Sequence, residues 1–410
     1  SSIDALLTDD PHRAARLLPR WVGGGRLQAA GFDVWLRPDR CSEHASLPTG
    51  TVKVTYTSGS TGAPKGVCLG VAQLEAVARS LVDVTRVLDL RRHLCVLPLA
   101  TLLENIAGVY APLAAGATCV VPPVCGDSAT RDLLDARRLL NRIATARPDS
   151  LILVPELLRM LVTATDSGWT PPPSLRFIAV GGAPVAPGLL ARATALALPV
   201  YEGYGLSECA SVLCLNTPEA RREGTVGRPL PHVQLRVDER GELHVRGATM
   251  LGYVGEAPGA SNAELATGDL GALDADGFVR VQGRLRNVYI TSFGRNVSPE
   301  WLEREIAAEP GIGQVLVYGE ARPYSVALIV PSDPMTYASL IDRSIATANL
   351  RLPEYARVRR WARVPAKFTT KDGLATGNGR LRRDAIVRRY GLLLESLYRD
   401  SGFVYREARA

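Results

Sequence analysis

Residues 55 to 66 read Thr-Tyr-Thr-Ser-Gly-Ser-Thr-Gly-Ala-Pro-Lys-Gly, and this stretch restricts the chain more than any other. Hydroxyl side chains at Thr55, Tyr56, Thr57, Ser58, Ser60 and Thr61 alternate with Gly59 and Gly62 and lead to Lys65. Glycines let the backbone approach a ligand closely, hydroxyls and N–H groups donate to anionic oxygens, and a lysine adds a point charge. The pattern predicts a loop that wraps a polyphosphate. It is not a Walker loop, which needs Gly-Lys followed by Ser or Thr. Here Pro64 precedes Lys65 and Gly66 follows it. The plain alternative is a Gly/Ser surface loop.

Val52 to Thr57 alternates like a strand and delivers the chain into this loop. Residues 71 to 88 have helical spacing, and 131 to 146 read as an arginine-rich amphipathic helix. Apolar runs at Leu94–Leu99, Ala117–Val121, Leu151–Val154, Phe177–Val180 and Val200–Tyr201 read as strands. The alternation predicts an α/β fold around a largely parallel sheet. Residues 225 to 283 change to short strands with glycine turns, a small β-rich subdomain. Beyond Arg284 a compact α+β unit is expected, with a helix over Pro299–Ala308 and strands near 314–318 and 325–330. Residues 1 to 49 read only as short polar and glycine-rich pieces.

A chain of 410 residues holds two or three domains. No run approaches the roughly 18 apolar residues of a membrane span, and no secretory signal is visible at the start. The seven cysteines include no Cys-x-x-Cys pair, which argues against zinc and a disulfide framework and fits a reducing cytosol. A cytoplasmic protein is therefore expected. Of the net charge of +7, residues 351 to 410 supply a surplus, with 15 Lys/Arg against 6 Asp/Glu. An acidic partner and a solvated basic face both explain it. Nucleic acid is not expected, because aromatic residues do not interleave with the basic ones. Only Lys53, Lys65, Lys367 and Lys371 are lysines, so the lysine of the glycine-rich loop stands out.

Four further motifs follow in order: Gly181-Gly182-Ala183-Pro184; Gly203-Tyr204-Gly205-Leu206-Ser207-Glu208; Thr267-Gly268-Asp269-Leu270; and Gly283-Arg284-Leu285-Arg286-Asn287 running into Thr291–Pro299. In this the chain resembles the adenylate-forming superfamily of acyl- and aryl-CoA synthetases, peptide-synthetase adenylation domains and luciferases. The resemblance covers roughly residues 50 to 390. Its nearest flavour is the long-chain acyl-CoA synthetase type, from Asn296-Val297-Ser298-Pro299-Glu300, or the shortened hydroxybenzoate and acyl-carrier-protein ligases of aryl-polyene pathways.

The resemblance implies a large N-terminal domain (1–283), a hinge near Arg286 and a mobile C-terminal lid (284–410). It implies ATP, Mg²⁺ and an acyl-AMP. Thr57, Ser58, Gly59, Ser60, Thr61, Gly62 and Lys65 would hold the β- and γ-phosphates. Glu208 would bind Mg²⁺ and Ser207 would touch the α-phosphate. Gly182, Ala183, Pro184 and Tyr204 would enclose adenine, with Glu202 and Gly203 nearby, and Asp269 and Arg284 would meet the ribose. Singly, each has a plain reading as core aromatic, turn residue or surface charge; the order and spacing together favour the site.

Two departures stand out. Only 54 residues precede the loop, so the start of the N-terminal domain is expected to be abridged. The lid lysine of the family is matched by Arg380, a planar fork rather than a point charge. Arg380 does that work less well, Lys371 or Lys367 substitutes, or adenylation is weak. Gly294 would line the thiol channel. The acid pocket would involve Thr101, Val154 and Gly181, with an apolar lining that suits an aryl acid or a medium acyl chain. The expected acceptor is a phosphopantetheine thiol, preferably on an acyl carrier protein. An ordinary acyl-CoA synthetase and a non-catalytic nucleotide-binding module are the alternatives.

Overall fold

A computed structural model describes residues 46–57, 65–122, 136–256, 264–293, 295–376 and 379–399, with the backbone of strands at 5–8, 22–27, 32–36 and 405–407. The first three strands, β1 (Ala5–Thr8), β2 (Val22–Leu27) and β3 (Phe32–Leu36), form an antiparallel sheet in the order β1–β3–β2. Three consecutive glycines at 23–25 hide β2 from a propensity reading, since glycine weakens a strand signal. Next, β4 (Lys53–Thr57) and β5 (Lys65–Leu69) pair antiparallel with Thr57 opposite Lys65. Residues 58–64, the centre of the expected phosphate loop, lie outside the described residues.

The chain then runs through α1 (Val71–Thr85), β6 (Arg92–Leu94), a π-helix (Glu104–Tyr110), α2 (Ala111–Ala114), β7 (Thr118–Val120), α3 (Ala136–Ala146) and β8 (Ser150–Leu153). It continues with α4 (Pro155–Asp166), β9 (Phe177–Val180), α5 (Pro187–Ala195), β10 (Val200–Tyr204), β11 (Cys214–Leu215) and β12 (Arg228–Pro229). The seven-stranded sheet has the order β12–β11–β10–β9–β8–β6–β7. Strands β10, β9, β8, β6 and β7 are parallel, and β11 and β12 extend the sheet antiparallel. β8 is buried along its whole length, as a central parallel strand covered by helices must be. Pro155 and Pro187 open their helices where a missing N–H costs nothing.

The expected strand over Leu94–Leu99 is displaced: β6 ends at Leu94. The Leu97 N–H donates instead to Glu104 Oε2 at 2.9 Å, and Pro98 has no N–H to offer a neighbouring strand.

The β-rich subdomain contains β13 (Val233–Val237), β14 (Glu242–Gly247), β15 (Gly252–Tyr253), β16 (Leu265–Leu273) and β17 (Val279–Arg284). Four of these form an antiparallel sheet in the order β13–β14–β16–β17, while β15 joins β5 at the base of the glycine-rich loop. Arg284 is the last residue of β17, and the C-terminal unit follows it. That unit holds β18 (Tyr289–Ile290), β19 (Asn296–Val297), α6 (Pro299–Ala307), β20 (Ile312–Tyr318), β21 (Ser325–Pro331), α7 (Ala338–Leu350), β22 (Val358–Arg363), α8 (Arg383–Arg399) and β23 (Tyr405–Glu407). Its sheet order is β20–β21–β22–β23. Leu302 and Ile306 of α6 and Ile341 and Ile345 of α7 pack with Trp361 in one core, separate from the core of the large sheet. Among the described residues no helix is long and apolar enough to cross a membrane.

Candidate active site

Strands β9 and β10 end at one edge of the parallel sheet, and the glycine-rich segments after them line a cavity of about 2310 Å³ between the large domain and the C-terminal unit. Open α/β sheets place ligand sites at this end of their strands. Lys65, Thr101, Val154, Gly181, Gly182, Ala183, Pro184, Glu202, Gly203, Tyr204, Ser207, Glu208, Asp269, Arg284, Arg286 and Arg380 all border it. The motif residues, scattered over more than three hundred positions, thus converge on one space. Ser58, Gly59, Ser60, Thr61, Gly62 and Gly294 lie outside the described residues, and of Thr57 only the strand backbone is described.

Backbone close approach explains two of the glycines. Gly182 has φ +81°, a conformation that L side chains rarely adopt. A Cβ on Gly205 would fall 1.6 Å from the Ser211 carbonyl oxygen, so the turn between β10 and Ser207 closes only with glycine there.

Asp269 is 4% exposed. Register places it opposite Arg284 across β16 and β17, and Arg284 Nε meets its Oδ1 at 2.8 Å. Tyr204 donates its hydroxyl to Oδ2 at 2.5 Å. Burial raises the Asp269 pKa, against the opposing pull of Arg284, the Tyr204 hydrogen bond and Arg380. The carboxylate is thus desolvated and aimed, a state suited to gripping vicinal hydroxyls. Tyr204, expected against adenine, orients Asp269 through its hydroxyl.

Ser207–Cys209 forms a short 3₁₀ turn that presents Glu208. The Glu208 carbonyl accepts from the Met250 N–H at 2.7 Å, and its Oε1 accepts from the Tyr253 hydroxyl at 3.2 Å. Lys65 Nζ lies 4.8 Å from the centroid of the same Tyr253 ring. Tyr253 therefore touches both ends of the expected phosphate and cation apparatus. A carboxylate facing the cavity and braced at one oxygen is the donor type that a hard divalent cation takes. Nothing in the sequence motifs singled out Tyr253; its signal is the pairing of β15 with β5, a contact between distant segments.

The C-terminal unit enters the site through Arg380. Its Nε and Nη2 both donate to the Gly182 carbonyl, at 2.9 and 2.6 Å. Lys367 also borders the cavity, but among the described contacts it is Arg380 that reaches Gly182. Two more hydrogen bonds join the units: Ser298 Oγ donates to the Gln282 carbonyl (3.1 Å) and Arg304 Nη1 to the Val281 carbonyl (3.4 Å). Arg304 Nε is buried without a hydrogen-bond partner among the described residues. Burial pushes the Glu202 pKa up to about 7, against the opposing pull of Arg304. Sequence reading missed Arg304, because no motif marks a lid residue that acts across the cleft.

The family model for AMP-binding enzymes matches residues 16–254, and that for the AMP-binding enzyme C-terminal domain matches residues 287–402. The chain belongs to the AMP-binding enzyme family. Within this adenylate-forming group, it is 26% identical over 433 residues to the long-chain-fatty-acid–CoA ligase FadD15 of Mycobacterium bovis, covering 85% of this chain and 70% of that protein. The anthranilate CoA ligase AuaEII, solved in complex with anthranoyl-AMP, superimposes with a TM-score of 0.71 at 22% identity, over 82% of this chain and 66% of that one. The O-succinylbenzoate coenzyme A synthetase of Bacillus subtilis, solved with ATP and magnesium ion, gives 0.67 at 23% identity, over 84% and 72%. The mixed α/β architecture with a smaller C-terminal domain is thus that of the adenylate-forming fold.

Proposed function

We propose that this AMP-binding enzyme joins an apolar carboxylic acid to a pantetheine thiol at the expense of ATP. One observation carries the reading: Arg380 of the C-terminal unit reaches the Gly182 carbonyl across a cavity that also holds Asp269, Arg284 and Glu208. In the first step a carboxylate oxygen attacks the α-phosphorus of ATP. The bond from that phosphorus to the bridging oxygen breaks, and its electron pair leaves with pyrophosphate. Positioning and charge stabilisation supply most of the catalysis in such transfers. Lys65 and residues 57–62 hold the β- and γ-phosphates, Ser207 meets the α-phosphate, and Asp269 and Arg284 fix the ribose. Gly182 to Pro184, Glu202, Gly203 and Tyr204 frame the adenine. Glu208 is the residue that would hold Mg²⁺, which neutralises phosphate charge when bound. Arg380 stabilises charge where carboxylate and α-phosphate meet.

In the second step a thiol sulfur attacks the acyl carbon, the bond from that carbon to AMP breaks, and the thiol proton passes to solvent. Rotation of the lid about Arg286 brings Gly294 to the thiol channel; such rotation is a known way to serve two half-reactions in one site. The pantetheine arm is common to coenzyme A and acyl carrier proteins. The relatives act with coenzyme A, and the basic C-terminal segment supports an acidic carrier protein.

For the acid, the lining beyond Thr101 and Val154 includes Leu102, Leu103, Ala107, Ala111 and Met160, which supports a hydrocarbon body. An aryl acid such as a hydroxybenzoate is the second reading, with the Thr101 hydroxyl as its polar contact. ATP–pyrophosphate exchange with a panel of fatty and aryl acids tests both, followed by thioester formation with coenzyme A and with a phosphopantetheinylated carrier. Exchange with one acid class is expected. No exchange with any acid, by chain that binds ATP, overturns the reading.

A further inference from the structure

Under the wall of the acid cavity lies a polar cluster that the reaction does not use. Glu104 is 0% exposed, His93 3% and Ser150 4%. Glu104 Oε1 lies 3.1 Å from His93 Nε2, and its Oε2 accepts the Leu97 N–H at 2.9 Å. The other imidazole nitrogen, Nδ1, lies 2.9 Å from Ser150 Oγ. Among the described residues His93 is the only ion-pair partner of this carboxylate. Burying a carboxylate so deeply is costly, and satisfying both oxygens is what makes it tolerable.

The carboxylate sits at the first residue of the π-helix Glu104–Tyr110. A π turn holds about one residue more than an α turn and occurs mostly as a local insertion near functional sites. Three features hold this one in place. A Cβ at Gly108 would fall 2.2 Å from Glu104 Oε1 and 2.8 Å from His93 Nε2, so the bare glycine lets the backbone ride over the pair. The Cys95 thiol points at the Gly108 carbonyl (3.7 Å), and Cys119 at the carbonyls of Gly108 (3.5 Å) and Val109 (3.8 Å). Ala107 within this turn, and Leu103 and Ala111 that flank it, border the cavity.

We infer that Glu104, braced by His93 and Ser150, is a positioning residue that sets acid selectivity by locking the π register of the cavity wall. Loss of the extra residue from the turn would rotate everything after it by roughly 100°, because an α-helix spends about 3.6 residues per turn. Ala107 and Ala111 would swing away from the cavity and other side chains would replace them. In an apolar pocket one methylene more or less changes discrimination by roughly 10–200-fold. The inference rests on the proposed acid site but not on the chemistry performed there.

The test measures affinities of short, medium and long saturated fatty acids and benzoate for the full chain by calorimetry, with ATP affinity measured beside them. Glu104→Gln keeps the hydrogen bonds and should keep the order of preference. Glu104→Leu should change the ratio between the best and worst acid about tenfold or more and leave ATP affinity unaltered. If Glu104→Leu does not fold, Ser150→Ala loosens His93 more gently and must move the ratio in the same direction. A ratio unchanged in a folded variant that has merely lost thermal stability overturns the inference, as does a parent chain that binds none of the acids. Absence of pyrophosphate exchange in a parent that still binds acids refutes the ligase reading alone.

Discussion

Arg380 donates two hydrogen bonds to the carbonyl of Gly182, 198 positions earlier in the chain. A planar guanidinium delivers both N–H groups to one oxygen in a way an ammonium cannot, so the arginine is matched to a backbone acceptor. Arg380→Ala should slow pyrophosphate exchange roughly 10²–10³-fold, the scale of losing one fixed donor to developing charge. Thioester formation from supplied acyl-AMP should be spared. Equal loss in both half-reactions would argue that Arg380 only holds the lid.

Tyr253 touches Glu208 with its hydroxyl and Lys65 with its ring, so the two contacts can be separated. Tyr253→Phe should raise the Mg²⁺ concentration needed for half-maximal exchange about 10–100-fold, as loss of an outer partner of a metal ligand does. It should leave the affinity for metal-free ATP, read by calorimetry, nearly unchanged. Tyr253→Leu should weaken both. A Phe variant with unaltered Mg²⁺ dependence would remove Tyr253 from the cation's support.

The Tyr204 hydroxyl serves a buried carboxylate. Tyr204→Phe leaves Asp269 one partner short, at a cost of about 1–3 kcal/mol in stability. Because Asp269 then loses orientation, the Michaelis constant for ATP should rise with it. Denaturant unfolding and ATP saturation curves would check the two effects, and a loss of stability with normal ATP binding would confine Tyr204 to a structural part.

Burial holds Glu202, in the cavity wall, and Glu303, on α6, near a pKa of about 7, above the usual 4.5 of a glutamate. Between those values the folded chain keeps protons that the unfolded chain has released, so stability declines as pH rises. The contribution is full below about 4.5 and gone above about 7. Melting temperature should fall across that interval, and Glu202→Gln should flatten the slope. A melting profile that rises there, or the same slope in the variant, would contradict the assignment.

The fold class was legible because strand and helix periods alternate plainly from β8 to β10, and prolines mark the helix starts at 155, 187 and 299. The site residues were legible as ordered motifs, each glycine run tied to a close approach. What escaped was made by tertiary contacts that no local period records. β6 is shorter than its apolar run because Glu104 captures the Leu97 N–H, and no local pattern reveals such a capture. Tyr253 meets Glu208 across 45 positions, Arg304 meets Val281 across 23, and Ser150, which braces the His93–Glu104 pair, lies 57 positions after His93. The cysteines, unremarkable by spacing, gather in part around Gly108 only once the sheet is assembled.

At each of the described crossings at Arg380, Ser298 and Arg304, the lid grips main-chain oxygen: Gly182, Gln282 and Val281. A handhold of that kind is indifferent to which side chains the body carries, and answers only to how its peptide planes are turned. The plane after residue 182 is turned by a left-handed torsion. Any side chain there would tilt the landing place of the lid without removing a single contacting atom.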